Sequence, residues 1–274
     1  MRIAVTGGCG RIGSLVLQEL LDCGHEPVCI DRRLPEEPVC RSLIADMTDF
    51  RQAAGALRGT EAVIHLAAIP GARSHPAHVV FNTNATSHYN VLEAAEALGI
   101  RKVASASSVQ ALGHVGAVDP PWPRSFPVDE TYRVHPEHCY ALSKEVGEHI
   151  NRMFARRGMQ AVGLRFTAVM RAESVRDLSP EQLDRRETFW SYVDPRDVAQ
   201  ICRLSVEADG LGAETFHVAA ADTLREEKSV DLVRRYFPDA EIRDGLEGHA
   251  TCLDISKARR MLGYDPKHTW RDVR

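Results

Sequence analysis

The sequence predicts an α/β protein, a doubly wound parallel sheet with a small lobe drawn from the C-terminal part of the chain. Three observations carry this. Short β-branched runs alternate with segments of helical spacing from residue 2 to residue 165. Those runs are apolar throughout rather than alternating, the pattern of strands covered on both faces. A glycine-rich turn sits between the first strand and the first helix.

In order, Arg2–Thr6 reads as a strand and Arg11–Cys23 as a helix with Ile12, Leu15, Val16, Leu20 and Leu21 on one stripe. Gly24 stops that helix and Pro27–Ile30 is the next strand. Ser42–Ala45, Ala62–Ala67 and Lys102–Ala106 continue the strand series, with helical spacing over Phe50–Leu57 and Val79–Leu98. A helix over Cys139–Arg157 leads into the strand Gln160–Arg165. After Arg165 the rhythm breaks, and residues 166–190 read as a polar, Arg-rich loop with short helical pieces beside a ligand. Asp197–Val206, Ser229–Tyr236 and Ile255–Leu262 are helices and Thr215–Ala219 a strand. The expected organisation is a dinucleotide-binding unit over 1–165 and a small substrate lobe over 166–274, interleaved with the sheet.

Composition removes several function classes. Of 274 residues, 34 are Lys or Arg and 38 Asp or Glu, a formal charge of −4 that gives no footprint for nucleic acid or an anionic membrane. No apolar run reaches the length of a membrane span, and Met1–Thr6 lacks the pattern of an export signal, so a cytoplasmic protein is expected. The seven cysteines contain no C-x-x-C pair and read as free thiols in a reducing compartment. His75/His78 and His135/His138 lack carboxylate or thiol partners at ligand spacing, so no metal site is expected.

Thr6-Gly7-Gly8-Cys9-Gly10-Arg11-Ile12-Gly13 has the composition of a phosphate cradle. Glycines allow a tight turn and close approach of backbone to a pyrophosphate, and the helix N-terminus offers free N–H groups to anionic oxygens. Asp31, eighteen residues beyond Gly13, ends the second strand where a carboxylate can accept from adenosine ribose hydroxyls. That carboxylate would repel a ribose 2′-phosphate and favours NAD. Arg32 and Arg33 keep NADP as the alternative. Asp46 and Met47 after the third strand are placed to meet adenine, and Leu66, Ala67 and Ala68 after the fourth to let the cofactor lie close.

Tyr140 and Lys144 stand at i,i+4, on one helix face. A phenol normally titrates near 10, and a neighbouring ammonium together with a positive nicotinamide draws that value toward working pH. Ser105-Ala106-Ser107-Ser108 ends the fifth strand and brings a hydroxyl to the carboxyl edge of the sheet, where such folds bind ligands.

These pieces together resemble an extended short-chain dehydrogenase/reductase of the NAD-dependent epimerase/dehydratase family. The matching stretches are TGGCGRIG at 6–13, Asp31, DMTD at 46–49, HLAA at 65–68, NVLEAAEALG at 90–99, SSVQALG at 107–113, YALSK at 140–144 and DISKARRMLGYDP at 254–266. The resemblance covers nearly the whole chain and implies a Rossmann-type fold. It implies Tyr140 as general acid/base, Lys144 lowering its pKa and holding the nicotinamide ribose, and Ser108 bonding the reacting oxygen with Ser107 as neighbouring candidate. Gly7, Gly10 and Gly13 would form the phosphate turn. A homodimer through Val79–Leu98 and Cys139–Arg157 is also implied.

Two departures bear on the substrate. In sugar-nucleotide members an N-V-Y-G-P-like segment follows the strand ending Leu-Arg, whereas Leu164-Arg165 continues Phe166-Thr167-Ala168-Val169, with alanine for the amide and no Gly-Pro turn. The chain is also short, as in uronate dehydrogenases, although Val109 and Gln110 stand where those carry polar substrate contacts. Arg185 and Arg186 are candidates for gripping an anionic substrate. Trp190 and Tyr192 are expected to pack the lobe, and the Pro-rich Asp119–Pro127 to line the site. The expected activity is hydride transfer between NAD(P) and a secondary alcohol of a sugar-like substrate. The alternatives are a nucleotide-sugar epimerase/dehydratase with tightly held NAD, a uronate-type dehydrogenase and a non-catalytic dinucleotide-binding module.

Overall fold

The computed structural model describes residues 1–273. Its strands are β1 (Arg2–Thr6), β2 (Glu26–Asp31), β3 (Arg41–Ile44), β4 (Ala62–His65), β5 (Lys102–Ser108), β6 (Ser125–Phe126), β7 (Gln160–Phe166), β8 (Ala168–Val169), β9 (Tyr192–Val193), β10 (Thr215–Val218) and β11 (Glu241–Ile242). Its α-helices are α1 (Gly13–Asp22), α2 (Phe50–Leu57), α3 (Ala77–Ala97), α4 (Cys139–Ala155), α5 (Pro180–Leu183), α6 (Pro195–Glu207), α7 (Ser229–Tyr236) and α8 (Ser256–Leu262).

Seven strands form one sheet in the order β10-β7-β5-β4-β1-β2-β3, every pairing parallel. The sheet divides two cores by the period of two along each strand. Ile3 and Val5 of β1 join Val16 and Leu20 of α1 and Val198 and Ile201 of α6 on one face. Ala4, between them, joins Leu57 of α2, Val91 and Leu92 of α3 and Phe154 of α4 on the other. Each Val, Leu or Ile so buried contributes roughly 1.5–3 kcal/mol, which fixes the register of every strand.

Local signals set the helix ends. Asp49 caps α2 by accepting from the Arg51 and Gln52 amides at 2.8 and 3.2 Å. Asp194 caps α6 by accepting from the Arg196 amide at 2.9 Å, with Pro195 in the first helical position, where its missing N–H costs nothing. Among the described residues no helix is long and apolar enough to cross a membrane.

Residue 165 does not divide the sheet. β7 runs on to Phe166, and β10, from far beyond that point, is the sheet's last strand beside it. Helix α6 packs against α1, so one apolar cluster runs from Ile3 to Tyr264. What stands apart is small: the β8–β9 and β6–β11 pairs, the pieces between residues 170 and 190, and a satellite cluster around Tyr192, Leu224 and Trp270. Trp190, in the main cluster, and Tyr192, in the satellite, are both fully buried, Tyr192 donating its hydroxyl to Asp222 at 2.8 Å, in the packing role the sequence suggested.

Candidate active site

β1 and β4 are neighbours while their following connections leave to opposite faces, so a crevice opens above their carboxyl ends. It is a cavity of about 560 Å³. Gly7, Gly10, Arg11, Ile12, Gly13, Asp31, Arg32, Asp46, Met47, Leu66, Ala67, Ala68, Ser107, Ser108, Tyr140 and Lys144 all border it.

The glycine turn is tight for steric reasons. Gly7 has φ +73°, and a Cβ there would lie 2.8 Å from the Ala67 amide nitrogen. A Cβ on Gly13 would run into the Gly7 carbonyl. No side chain caps α1; the Ser14 and Leu15 amides donate to the Gly10 and Ile12 carbonyls at 3.0 and 3.1 Å, which leaves the Ile12 and Gly13 amides to meet a ligand at the end of the turn. Asp31 sits at the rim, Oδ2 accepting from the Cys9 amide at 3.0 Å and Oδ1 from the Arg32 amide at 2.7 Å. A carboxylate has about four lone-pair sites, so these two bonds leave acceptor capacity for ribose hydroxyls. Asp46 holds a turn through Thr48, whose amide and hydroxyl both donate to Oδ1 at 2.8 Å. Together the close-approach backbone, the uncapped helix and the acidic rim fit a nicotinamide dinucleotide.

The opposite end holds the reactive groups. Tyr140 lies in the first turn of α4, which His138 caps by accepting from the Ala141 amide through Nδ1 at 3.2 Å. Burial raises the Tyr140 phenol above its ordinary value, and the facing Ser108 hydroxyl draws it partly back. The Lys144 ammonium stands 5.4 Å from the centre of the Tyr140 ring and donates to the Ala106 carbonyl at 2.8 Å. Burial depresses it to about 8. Ser108 also begins the turn after β5, accepting from the Gln110 amide at 3.2 Å.

Behind these groups lies a polar layer with almost no solvent. The Ser107 hydroxyl donates to Glu148 at 2.7 Å, so it is committed to the scaffold although its residue borders the cavity. Burial pushes the Glu148 carboxyl up, but bonds from Arg165 and Ser107 outweigh it and hold the group below the usual range. His88 bonds Asn151 at 2.9 Å, and burial lowers it to about 4, so it is neutral near pH 7.

Two stretches named from the sequence lie away from this cavity. Arg185 and Arg186 do not border the cavity: Arg185 donates to the Gln182 carbonyl at 2.8 Å and Arg186 lies 5.0 Å over Trp122. The stretch Asp119–Pro127 is also off the cavity wall, its Trp122 stacked on His114 and its Phe126 packed with Phe189 and Phe237. Aromatic burial decided both. Conversely, Thr83, Ser87 and Thr167 border the cavity without having been singled out. Thr83 and Ser87 carried a signal, since they stand at i,i+4 on one helix. Thr167 carried another, directly after a strand's carboxyl end.

A family profile described as NAD dependent epimerase/dehydratase family matches residues 3–178. L-arabinose 1-dehydrogenase (NAD(P)(+)) of Haloferax volcanii is 32% identical over 218 residues, 76% of this chain and 83% of that protein. The same organism's NAD-dependent glucose-6-phosphate dehydrogenase is 26% identical over 279 residues, 97% and 92% of the two chains. A solved UDP-galactose 4-epimerase superposes with a TM-score of 0.71 at 27% identity, covering 98% of this chain and 94% of its own. A short-chain dehydrogenase/reductase from Agrobacterium tumefaciens with bound NAD shares the fold, with a TM-score of 0.76, 21% identity, and 99% and 94% coverage. With the sequence motifs, the parallel sheet and the cavity agreeing, the chain belongs to the NAD-dependent epimerase/dehydratase family of extended short-chain dehydrogenases/reductases.

Proposed function

We propose that this enzyme is a net dehydrogenase that oxidises a secondary alcohol of a free, monosaccharide-sized sugar, with NAD as preferred acceptor. The observation that carries the reading is the convergence of Ser108, Tyr140 and Lys144 at one end of a dinucleotide cradle. Similarity to an L-arabinose 1-dehydrogenase supports the substrate class. So does the compact segment after β7, whose arginines are turned to other work.

In this reading Tyr140 takes the hydroxyl proton. Its buried phenol resists ionisation, and the Lys144 ammonium beside the ring offsets that resistance electrostatically. The Ser108 hydroxyl bonds the sugar oxygen as its charge changes, a stabilisation worth roughly 2–4 kcal/mol for comparable donors. Hydride acceptance is the chemistry that a bound nicotinamide supplies. Gly7 and Gly13 admit the cofactor backbone closely, and Asp31 holds the adenosine ribose. The carboxylate at that rim is the reason for preferring NAD over NADP.

The exposed faces of α3 and α4, with Tyr89 and Leu142 at the surface, support a homodimer through these helices. The free cysteines support the reducing cytoplasm as its compartment.

Incubation with NAD and L-arabinose or glucose 6-phosphate, followed by near-ultraviolet absorbance, tests the function. Net formation of reduced cofactor is expected. Interconversion of UDP-glucose and UDP-galactose without net reduction would establish an epimerase instead and overturn the proposal.

A further inference from the structure

Arg11 stands in the glycine turn, one residue before the N-cap of α1. Its guanidinium reaches across the cavity and donates from Nη2 to the Val169 carbonyl at 2.9 Å. Val169 belongs to β8, which is tied to the lobe through its pairing with β9 and through the Met170 amide bonding the Val193 carbonyl at 3.0 Å. One side chain therefore joins the two walls of the cleft: the turn at the sheet's centre and the segment that follows β7. The bond to Val169 uses one of the five N–H donors of a guanidinium. No acidic side chain occupies the first turn of α1, and no side chain caps it. A fixed positive charge and the Ile12 and Gly13 amides thus meet at the same rim, while the Ser14 and Leu15 amides are bonded to backbone carbonyls.

We propose that Arg11 is a strap over the cofactor pyrophosphate: its free donors pair with the phosphate oxygens while its bond to Val169 draws the post-β7 segment down over the bound dinucleotide. This rests on the dinucleotide reading of the cavity and adds to it a residue that slows release. A planar guanidinium suits the task because it can address a carbonyl and a phosphate from different edges at once. A lysine keeps the charge but not that division.

The test is ligand binding with purified full-length protein and needs no sugar. NADH, ADP-ribose and adenosine are the probes, the first read by its own fluorescence and the others by its displacement. Arg11→Ala is expected to weaken NADH and ADP-ribose alike by about tenfold, one to two charge-assisted bonds, and to leave adenosine unchanged. Stopped-flow displacement should show most of the loss as faster release, and Arg11→Lys should restore only part of it. Equal affinities for wild type and Arg11→Ala would overturn the strap, as would an equal loss for adenosine, which lacks the phosphates. If Arg11→Ala does not fold, Arg11→Gln carries the same comparison, since it removes the charge and keeps a polar stem. Wild-type protein that binds no NADH would overturn the cofactor reading and the strap with it; wild-type binding with no effect of the variants overturns the strap alone.

Discussion

Glu148 and Arg165 meet in a buried, two-pronged ion pair, Arg165 Nε donating to Oε1 at 2.8 Å and Nη2 to Oε2 at 2.9 Å. Glu148 is one turn beyond Lys144 on α4, and Arg165 is on β7, so the pair fixes the helix bearing Tyr140 against the sheet edge bearing Ser108. Removing one partner leaves a buried charge without compensation. Glu148→Ala is expected to cost about 3–5 kcal/mol of stability, measured by urea unfolding. Glu148→Leu combined with Arg165→Met should cost markedly less, because no charge is left behind. Equal losses in the two proteins would refute the account.

Tyr140→Phe deletes one oxygen and keeps the ring in place. Turnover should fall by at least about a hundredfold, the scale of a lost general base, while NADH affinity stays within about twofold. Oxidation of sugar at the unaltered rate would remove Tyr140 from the chemistry.

Lys144 makes the site expensive to keep. Its ammonium titrates at about 8 in the fold against 10.5 in the open chain, a penalty of order 3 kcal/mol. The sign follows from proton binding. Below pH 8 both states are protonated and the full penalty applies. Between 8 and 10.5 the folded chain is the first to release its proton, so the penalty fades. Lys144→Met should therefore raise the melting temperature at pH 7, less the cost of the orphaned Ala106 carbonyl, and lose that advantage by about pH 11. A stability difference between variant and wild type that stays the same from pH 7 to about pH 11 would show that this burial penalty is not real.

Gly13→Ala tests the cradle. Its methyl would meet the Gly7 carbonyl, so the turn must open. We expect a stability loss of about 1–3 kcal/mol, as for other overpacked positions, and at least about tenfold weaker NADH binding by fluorescence titration. Unaltered binding would mean that the tight turn is not what receives the pyrophosphate.

Strong periodicity made much of this legible. Phe50–Leu57 and Ser229–Tyr236 are helices over the residues that the spacing predicts, and each main strand was found within two residues at either end. The cofactor-side residues were readable because strand, glycine turn and helix are consecutive in sequence, so local order dictates spatial order. The lobe was less so. β8 pairs with β9 and β6 with β11, two-residue strands held by tertiary neighbours and carrying no period of their own. Arg185 and Arg186 looked available because sequence records charge but not the aromatic surface beneath it: Arg186 rests on Trp122, which is remote in the chain. The Glu148–Arg165 pair had a partial signal, since Glu148 continues the Tyr140–Lys144 stripe, but its partner's position depends on strand order.

The last strand of the main sheet leaves the ribosome late. Until Thr215–Val218 emerges, the backbone donors and acceptors of Gly163–Phe166 face outward as an open ladder. A nascent polypeptide halted in the intervening stretch would present a sticky flank to its neighbours, so synthesis of this enzyme has a vulnerable interval that ends only when β10 docks. The same reasoning sets a rule for trimming the gene. Fragments that stop where the family profile stops, at residue 178, should collect in inclusion bodies, whereas those retaining β10 and the helix before it should remain dispersed.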